Sequence, residues 1–165
     1  MARAPWRYAG AVQSAVVQFK YHRRWRLGRW LAEEMAREAH ASLPLNQVDA
    51  VVPVPLHWLK RRLKGSNPAE QLALVIARSC EKPCLGRSLR RIRWTRTQTR
   101  LGSSERARNV RQAFVASPRW VRGRGVLLID DVLTSGATAN ACATALRDAG
   151  ARAVFVLTAA RTPLT

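Results

Sequence analysis

The sequence has no apolar run approaching the ~20 residues a membrane-spanning helix needs. Its start, Met1-Ala-Arg-Ala-Pro-Trp-Arg-Tyr8, carries basic residues but no apolar stretch of the kind a signal peptide requires. Cysteine is scarce. Cys80, Cys84 and Cys142 are the only three, too few for a disulfide framework. No second Cys or His pair stands at zinc-ligand spacing, so Cys80 and Cys84, expected one turn apart at a helix end, read as small apolar residues. These absences point to a reducing, cytoplasmic address and to no membrane insertion. Two nucleotide signatures are missing as well: the Gly-Lys-Thr/Ser ending of a P-loop and the G-x-G-x-x-G dinucleotide turn. Acidic residues are the rarest charge, 10 against 29 Lys and Arg, which leaves a net charge of +19. A field that positive attracts polyanions: nucleic acid, a polyphosphorylated small molecule or anionic lipid.

What is present suits one compact domain. At 165 residues folding buries roughly 70% of the surface of the unfolded chain, so no metal or disulfide staple is required. No internal repeat and no second domain are visible. Gly10 to Phe19 reads as a short amphipathic helix with Val12, Val16 and Phe19 at helical spacing. Trp25 to His40 reads as a second helix, its apolar face Leu27, Trp30, Leu31 and Met35. Asp49 to Pro55 is a β-branched run closed by prolines, expected to be a buried strand running into a basic loop, Lys60 to Gly65. Pro68 to Ser79 reads as a helix with proline in its first turn.

From Arg87 to Arg124 about a dozen arginines face a single acid, Glu105. Short extended pieces are expected near Leu89–Ile92 and Ala113–Ala116, around a long polar loop, Thr95–Asn109. Loops of that length in a compact domain are usually functional. Gly125 to Asp130 and Ala153 to Thr158 are expected strands, and Ala137 to Ala149 the helix between them. Strand, helix and strand at this spacing make a βαβ unit, hence a parallel sheet covered by helices.

The segment from Val126 to Thr138 carries the chemistry. A buried strand is expected to end in two acids, Asp130 and Asp131, and a turn of Thr134, Ser135 and Gly136 leads into a helix at Ala137 and Thr138. Backbone N–H groups of such a turn and of a helix N-terminus form an anion site. The hydroxyls of Thr134, Ser135 and Thr138 add donors, and Gly136 lets the backbone approach a phosphate. Carboxylates beside a phosphate repel it, unless the ligand presents hydroxyls to them. A ribose 5-phosphate does so: phosphate in the turn, the 2′ and 3′ hydroxyls at Asp130 and Asp131. The position past the carboxyl end of a parallel strand is where open α/β sheets bind ligands. The plainer alternative is a structural turn with a helix cap.

With these residues the chain resembles the phosphoribosyl-pyrophosphate (PRPP) motif of type I phosphoribosyltransferases, and within them the competence protein F family. Val51-Val-Pro-Val-Pro-Leu-His57 followed by Arg61-Arg-Leu-Lys-Gly-Ser-Asn67 is similar to that family's pyrophosphate-side loop. Thr95-Arg-Thr-Gln98, Leu101, Glu105-Arg106 and Asn109 to Phe114 are similar to its mobile loop. Tyr8-Ala-Gly10 with Phe19-Lys20-Tyr21 matches its N-terminal helix. The family usually opens with a four-cysteine zinc ribbon, which has no counterpart here, so no zinc is expected. Pro68 and Ser66 stand where it commonly has glutamine and an aromatic.

The resemblance implies an α/β fold, a mainly parallel sheet of about five strands flanked by helices, over 1–165 as a single domain. Residues 1–45 would form a small N-terminal helical hood and 46–165 the core. It implies Asp130 and Asp131 on the ribose, Thr134, Ser135, Gly136, Ala137 and Thr138 on the 5-phosphate, and Val54, Pro55, Leu56 and His57 on the pyrophosphate side. Mg2+ would arrive on PRPP itself, with no metal ligand from the chain. Lys60, Arg61, Arg62 and Lys64, with Arg100 or Arg106 from the mobile loop beside Gln98 and Asn109, are the candidates to neutralise departing pyrophosphate. His57 would serve as an acid or base, or as a hydrogen-bonded structural residue. The expected activity is transfer of phosphoribosyl to a nitrogenous base or amine with release of pyrophosphate. The alternative is a non-catalytic competence factor that binds single-stranded DNA and partner proteins during DNA uptake. The six tryptophans bear on that alternative through base stacking: Trp58, Trp94 and Trp120 sit beside basic residues, whereas Trp30 reads as core.

Overall fold

The computed structural model describes residues 1–22, 24–56, 66–92 and 113–162. Strands β1 (Ala2–Arg3) and β2 (Trp6–Arg7) precede helices α1 (Gly10–His22) and α2 (Trp25–Ser42). Then come β3 (Ala50–Pro53), α3 (Pro68–Ser79), β4 (Leu89–Arg91), β5 (Phe114–Ala116), the single turn α4 (Pro118–Val121), β6 (Gly125–Leu133), α5 (Ala137–Asp148) and β7 (Ala153–Arg161).

Five strands form the main sheet in the order β1-β7-β6-β3, with β2 pairing β7 beyond β1. All of its pairs are parallel. A parallel strand is buried on both faces, which is why Val126-Leu-Leu-Ile129 and Val154-Phe-Val-Leu157 are apolar at every position. Alternation divides the two faces. Leu127, Ile129, Phe155 and Leu157 pack with Val16, Phe19, Leu31, Met35, Leu72 and Ile76, beneath α1, α2 and α3. Val126, Leu128, Val154 and Val156 pack with Leu89, Phe114, Cys142 and Leu146, beneath α5 and the antiparallel β4–β5 pair. Among the described residues no helix is long and apolar enough to cross a membrane.

Three expectations need correction. The strand does not end at the acids: β6 runs on to Leu133 because β7 extends alongside it, pairing Asp130 with Thr158 and Leu133 with Arg161. Trp30 is not core but 43% exposed. The buried stripe of α2 is Gly28, Leu31, Ala32, Met35, Ala36 and Ala39, and position 30 lies well off it; Trp30 stacks instead on Trp6, ring centroids 5.0 Å apart. Cys80 and Cys84 do not share a helical turn. The helix ends at Ser79, Cys80 caps it, and Cys84 bridges to Val51.

Candidate functional site

Strands β3 and β6 lie side by side, Pro53 opposite Ile129, so their carboxyl ends open at one place on the sheet edge. The Val54 N–H donates to the Ile129 carbonyl at 2.8 Å. Val54 is buried and Pro55 and Leu56 are half-buried as they leave the sheet next to Asp130. Asn67 fastens the far end of that loop. It caps α3 by accepting from the Ala69 N–H at 3.2 Å and donates its amide to the Val54 carbonyl at 3.0 Å, while itself buried. One side chain thus joins the end of β3 to the start of α3. His57, Lys60, Arg61, Arg62, Lys64, Gln98, Arg100, Arg106, Asn109, Trp58 and Trp94 lie outside the described residues.

At the end of β6 the two acids obey the strand's alternation. Asp130 continues the row of Val126 and Leu128, on the side of α5; Asp131 continues that of Leu127 and Ile129, on the side of α1. The Asp131 N–H donates to Asp130 Oδ1 at 2.8 Å. Burial, then repulsion from Asp131, pushes the Asp130 carboxyl up to about 7, against the pull of that N–H and of Lys20. Cys142 on α5 is buried in the same neighbourhood. Its thiol is pushed far up, first by desolvation and then by Asp130, with Arg91 opposing. Arg91 of β4 is held below its ordinary value by burial, and its guanidinium lies 5.4 Å from the Phe114 ring centroid.

Asp131 has a different partner. Lys20 Nζ lies 2.8 Å from Asp131 Oδ1, and the two side chains are 23% and 18% exposed. Lys20 appears in the sequence only as part of a motif match. The signal that identifies it is its spacing, since Val12, Val16 and Lys20 continue one row at i, i+4 and i+8, and a lysine in an inward-facing row needs a buried partner. Phe19 beside it is locked in place: a Cβ on Gly28 would lie 2.3 Å from the Phe19 ring.

Past the acids, Thr134 and Ser135 are exposed and Gly136 turns with φ of 74°. That left-handed turn suits glycine and starts α5 with no side-chain cap. Among the described residues the Ala137 N–H reaches only the Ser135 Oγ, at 3.5 Å. First-turn donors of α5 and the hydroxyls of Thr134, Ser135 and half-buried Thr138 therefore gather where the sequence places a phosphate. Trp120 is 43% exposed, with the Arg119 guanidinium 5.6 Å from its ring. It sits on α4, away from the carboxyl ends of β3 and β6.

No family model matches the chain. Among curated proteins it is 30% identical over 159 residues to competence protein F of Haemophilus influenzae, covering 93% of this chain and 69% of that protein. It is 31% identical over 159 residues to the DNA utilization protein YhgH of Escherichia coli, covering 94% and 69%. Among solved structures, glutamine PRPP amidotransferase from B. subtilis superposes with a TM-score of 0.53 at 25% identity, over 78% of this chain and 25% of that one. The parallel sheet, the acids near the end of β6 and the glycine turn into α5 are thus accompanied by relatives that share nearly the whole chain, and the protein belongs to the competence protein F family, with the type I phosphoribosyltransferase fold.

Proposed function

We propose that this protein binds PRPP, with Mg2+ carried on the ligand, at the joint carboxyl end of β3 and β6. One observation carries the reading: an acid pair near the carboxyl end of β6, followed within a few residues by a glycine-turned helix start with no side-chain cap. Carboxylates accept hydrogen bonds from hydroxyls and helix N-termini attract phosphate, so the two halves suit the two halves of a ribose 5-phosphate. Asp130 and Asp131 would take the ribose hydroxyls, Thr134 to Thr138 the 5-phosphate, and Val54 to Leu56 the pyrophosphate side. Mg2+ prefers oxygen ligands and binds through substrate phosphates, and it would neutralise charge on the leaving pyrophosphate. Among the described residues no three His, Cys, Asp or Glu side chains gather to hold an ion by themselves.

In the reaction proposed, a nitrogen of a base or amine bonds to the anomeric carbon as the bond to pyrophosphate breaks and its electron pair leaves with pyrophosphate. The nitrogen then loses its proton. The chain's task is to hold the ribose hydroxyls and the 5-phosphate while positive charge develops on the ring. Lys60, Arg61, Arg62, Lys64, Arg100 and Arg106 are proposed to face the leaving group, in a cytoplasmic protein.

The test is ligand-dependent stability. Mg2+ and PRPP at about a hundredfold excess over Kd stabilise a binding protein by about 2.7 kcal/mol, read as a rise in Tm. No rise at millimolar PRPP would overturn the reading. Pyrophosphate release with a panel of nucleobases then separates catalysis from binding alone. A second reading, single-stranded DNA and protein binding during DNA uptake, is favoured by the net charge of +19 and by the names of the relatives, competence and DNA utilization. It predicts a steep fall of DNA affinity with salt.

A further inference from the structure

We infer that Lys20, reaching from α1, is the counter-ion that favours the ionised form of the Asp130–Asp131 pair in the ligand-free protein, and so is a positioning residue for the ribose hydroxyls. This rests on the reading of the acid pair as a ribose site.

The geometry is specific. Lys20 Nζ meets Asp131 Oδ1 at 2.8 Å with both side chains largely withdrawn from water. An ion pair there is weakly screened, unlike the exposed pair Arg29–Glu33 on α2, whose side chains are 78% and 43% exposed. The ammonium is also held in place from behind. Val16 and Phe19, the inward residues preceding it on α1, are buried, and the Phe19 ring occupies the space a side chain at Gly28 would need. The lysine is therefore presented by a packed helix.

Two adjacent carboxylates in a partly dry site repel one another, and one of them tends to keep its proton. The groups around Asp130 come from four elements: Asp131 on β6, Cys142 on α5, Arg91 on β4 acting on Cys142, and Lys20 on α1. Asp131 pushes the Asp130 carboxyl up and Lys20 pulls it down. A proton retained on the pair would occupy an acceptor that a ribose hydroxyl needs. By supplying positive charge, Lys20 shifts the pair toward the form in which both carboxylates accept.

The experiment follows the Asp carboxyl carbons by NMR across pH in the ligand-free full chain, for wild type, Lys20→Met and Lys20→Arg. The expected result is that Lys20→Met raises the apparent midpoint of the pair by about one pH unit and Lys20→Arg restores most of it. An unchanged midpoint in Lys20→Met overturns the inference. Mg·PRPP affinity supplies the second readout. At pH 7 Lys20→Met should bind about fivefold more weakly, rising toward about tenfold at lower pH, and should approach wild type by about pH 9, where the pair is ionised without help. An equal loss at every pH overturns the ionisation role. If wild type binds no PRPP while the midpoint still moves, the counter-ion role stands and the ribose-site reading falls.

Discussion

The two faces of the sheet treat neighbouring aspartates differently. On the α1 side Asp131 meets a lysine held in place by helix packing. On the α5 side Asp130 meets apolar atoms, a buried thiol and the charge of its neighbour, and its carboxyl is pushed up to about 7. The residue type is the same and the positions are consecutive, so the period-2 alternation of β6 alone sends them into opposite electrostatic surroundings. Desolvation raises a carboxyl and a nearby cation lowers it; at Asp130 desolvation dominates. The pair is therefore unequal: one carboxyl has a lysine partner and the other is buried with its ordinary value raised.

Breaking the paired side should have the largest effect on function. Asp131→Asn removes a charged acceptor, and hydrogen bonds to charged groups contribute about 1.5–3 kcal/mol each. Titration calorimetry should show Mg·PRPP affinity falling roughly a hundredfold; DNA affinity measured on the same sample should persist or strengthen, since a negative charge is lost. Gly28→Ala attacks the same side from behind. It drives a methyl into the Phe19 ring, and overpacking of this kind costs typically 1–3 kcal/mol, measurable as a lower midpoint in urea.

The buried side should respond in the opposite direction. The Asp130 carboxyl lies near 7 in the folded protein and at 3.8 in an open chain. The folded state thus binds more protons between those values, and stability falls as pH rises through that window. Asp130→Asn removes this penalty. It should stabilise the ligand-free protein at pH 8 by on the order of 1–2 kcal/mol, a rise in Tm of roughly 2–8 °C, and should leave stability at pH 4 nearly unchanged. The smallest effect sharpens the comparison: Asp131→Asn should lower the titration midpoint of Asp130, where Lys20→Met raises it, because the one removes a repelling charge and the other an attracting one.

Sequence patterning made the scaffold legible wherever one local signal was enough. Proline at the first turn and Leu72 and Ile76 inside located α3 to the residue, and the apolar runs located β6 and β7. The acid pair and the Thr134–Thr138 turn were legible for the same reason, since strand, turn and helix start follow one another closely in the chain. What escaped was set by tertiary neighbours. The extension of β6 to Leu133 depends on its register with β7. The surface position of Trp30 depends on which stripe of α2 meets the sheet. Lys20 and Asp131 are over a hundred positions apart, and only the packing of α1 on Gly28 brings them together.

The central claim is that Asp130 and Asp131 hold the ribose of PRPP. Its most direct test is calorimetric titration of PRPP with Mg2+ into wild type and into the Asp130→Asn/Asp131→Asn double variant, side by side. Micromolar-range binding by wild type, lost in a double variant that is folded and at least as stable, is the predicted result. No binding by well-folded wild type, or equal binding by both, would contradict it.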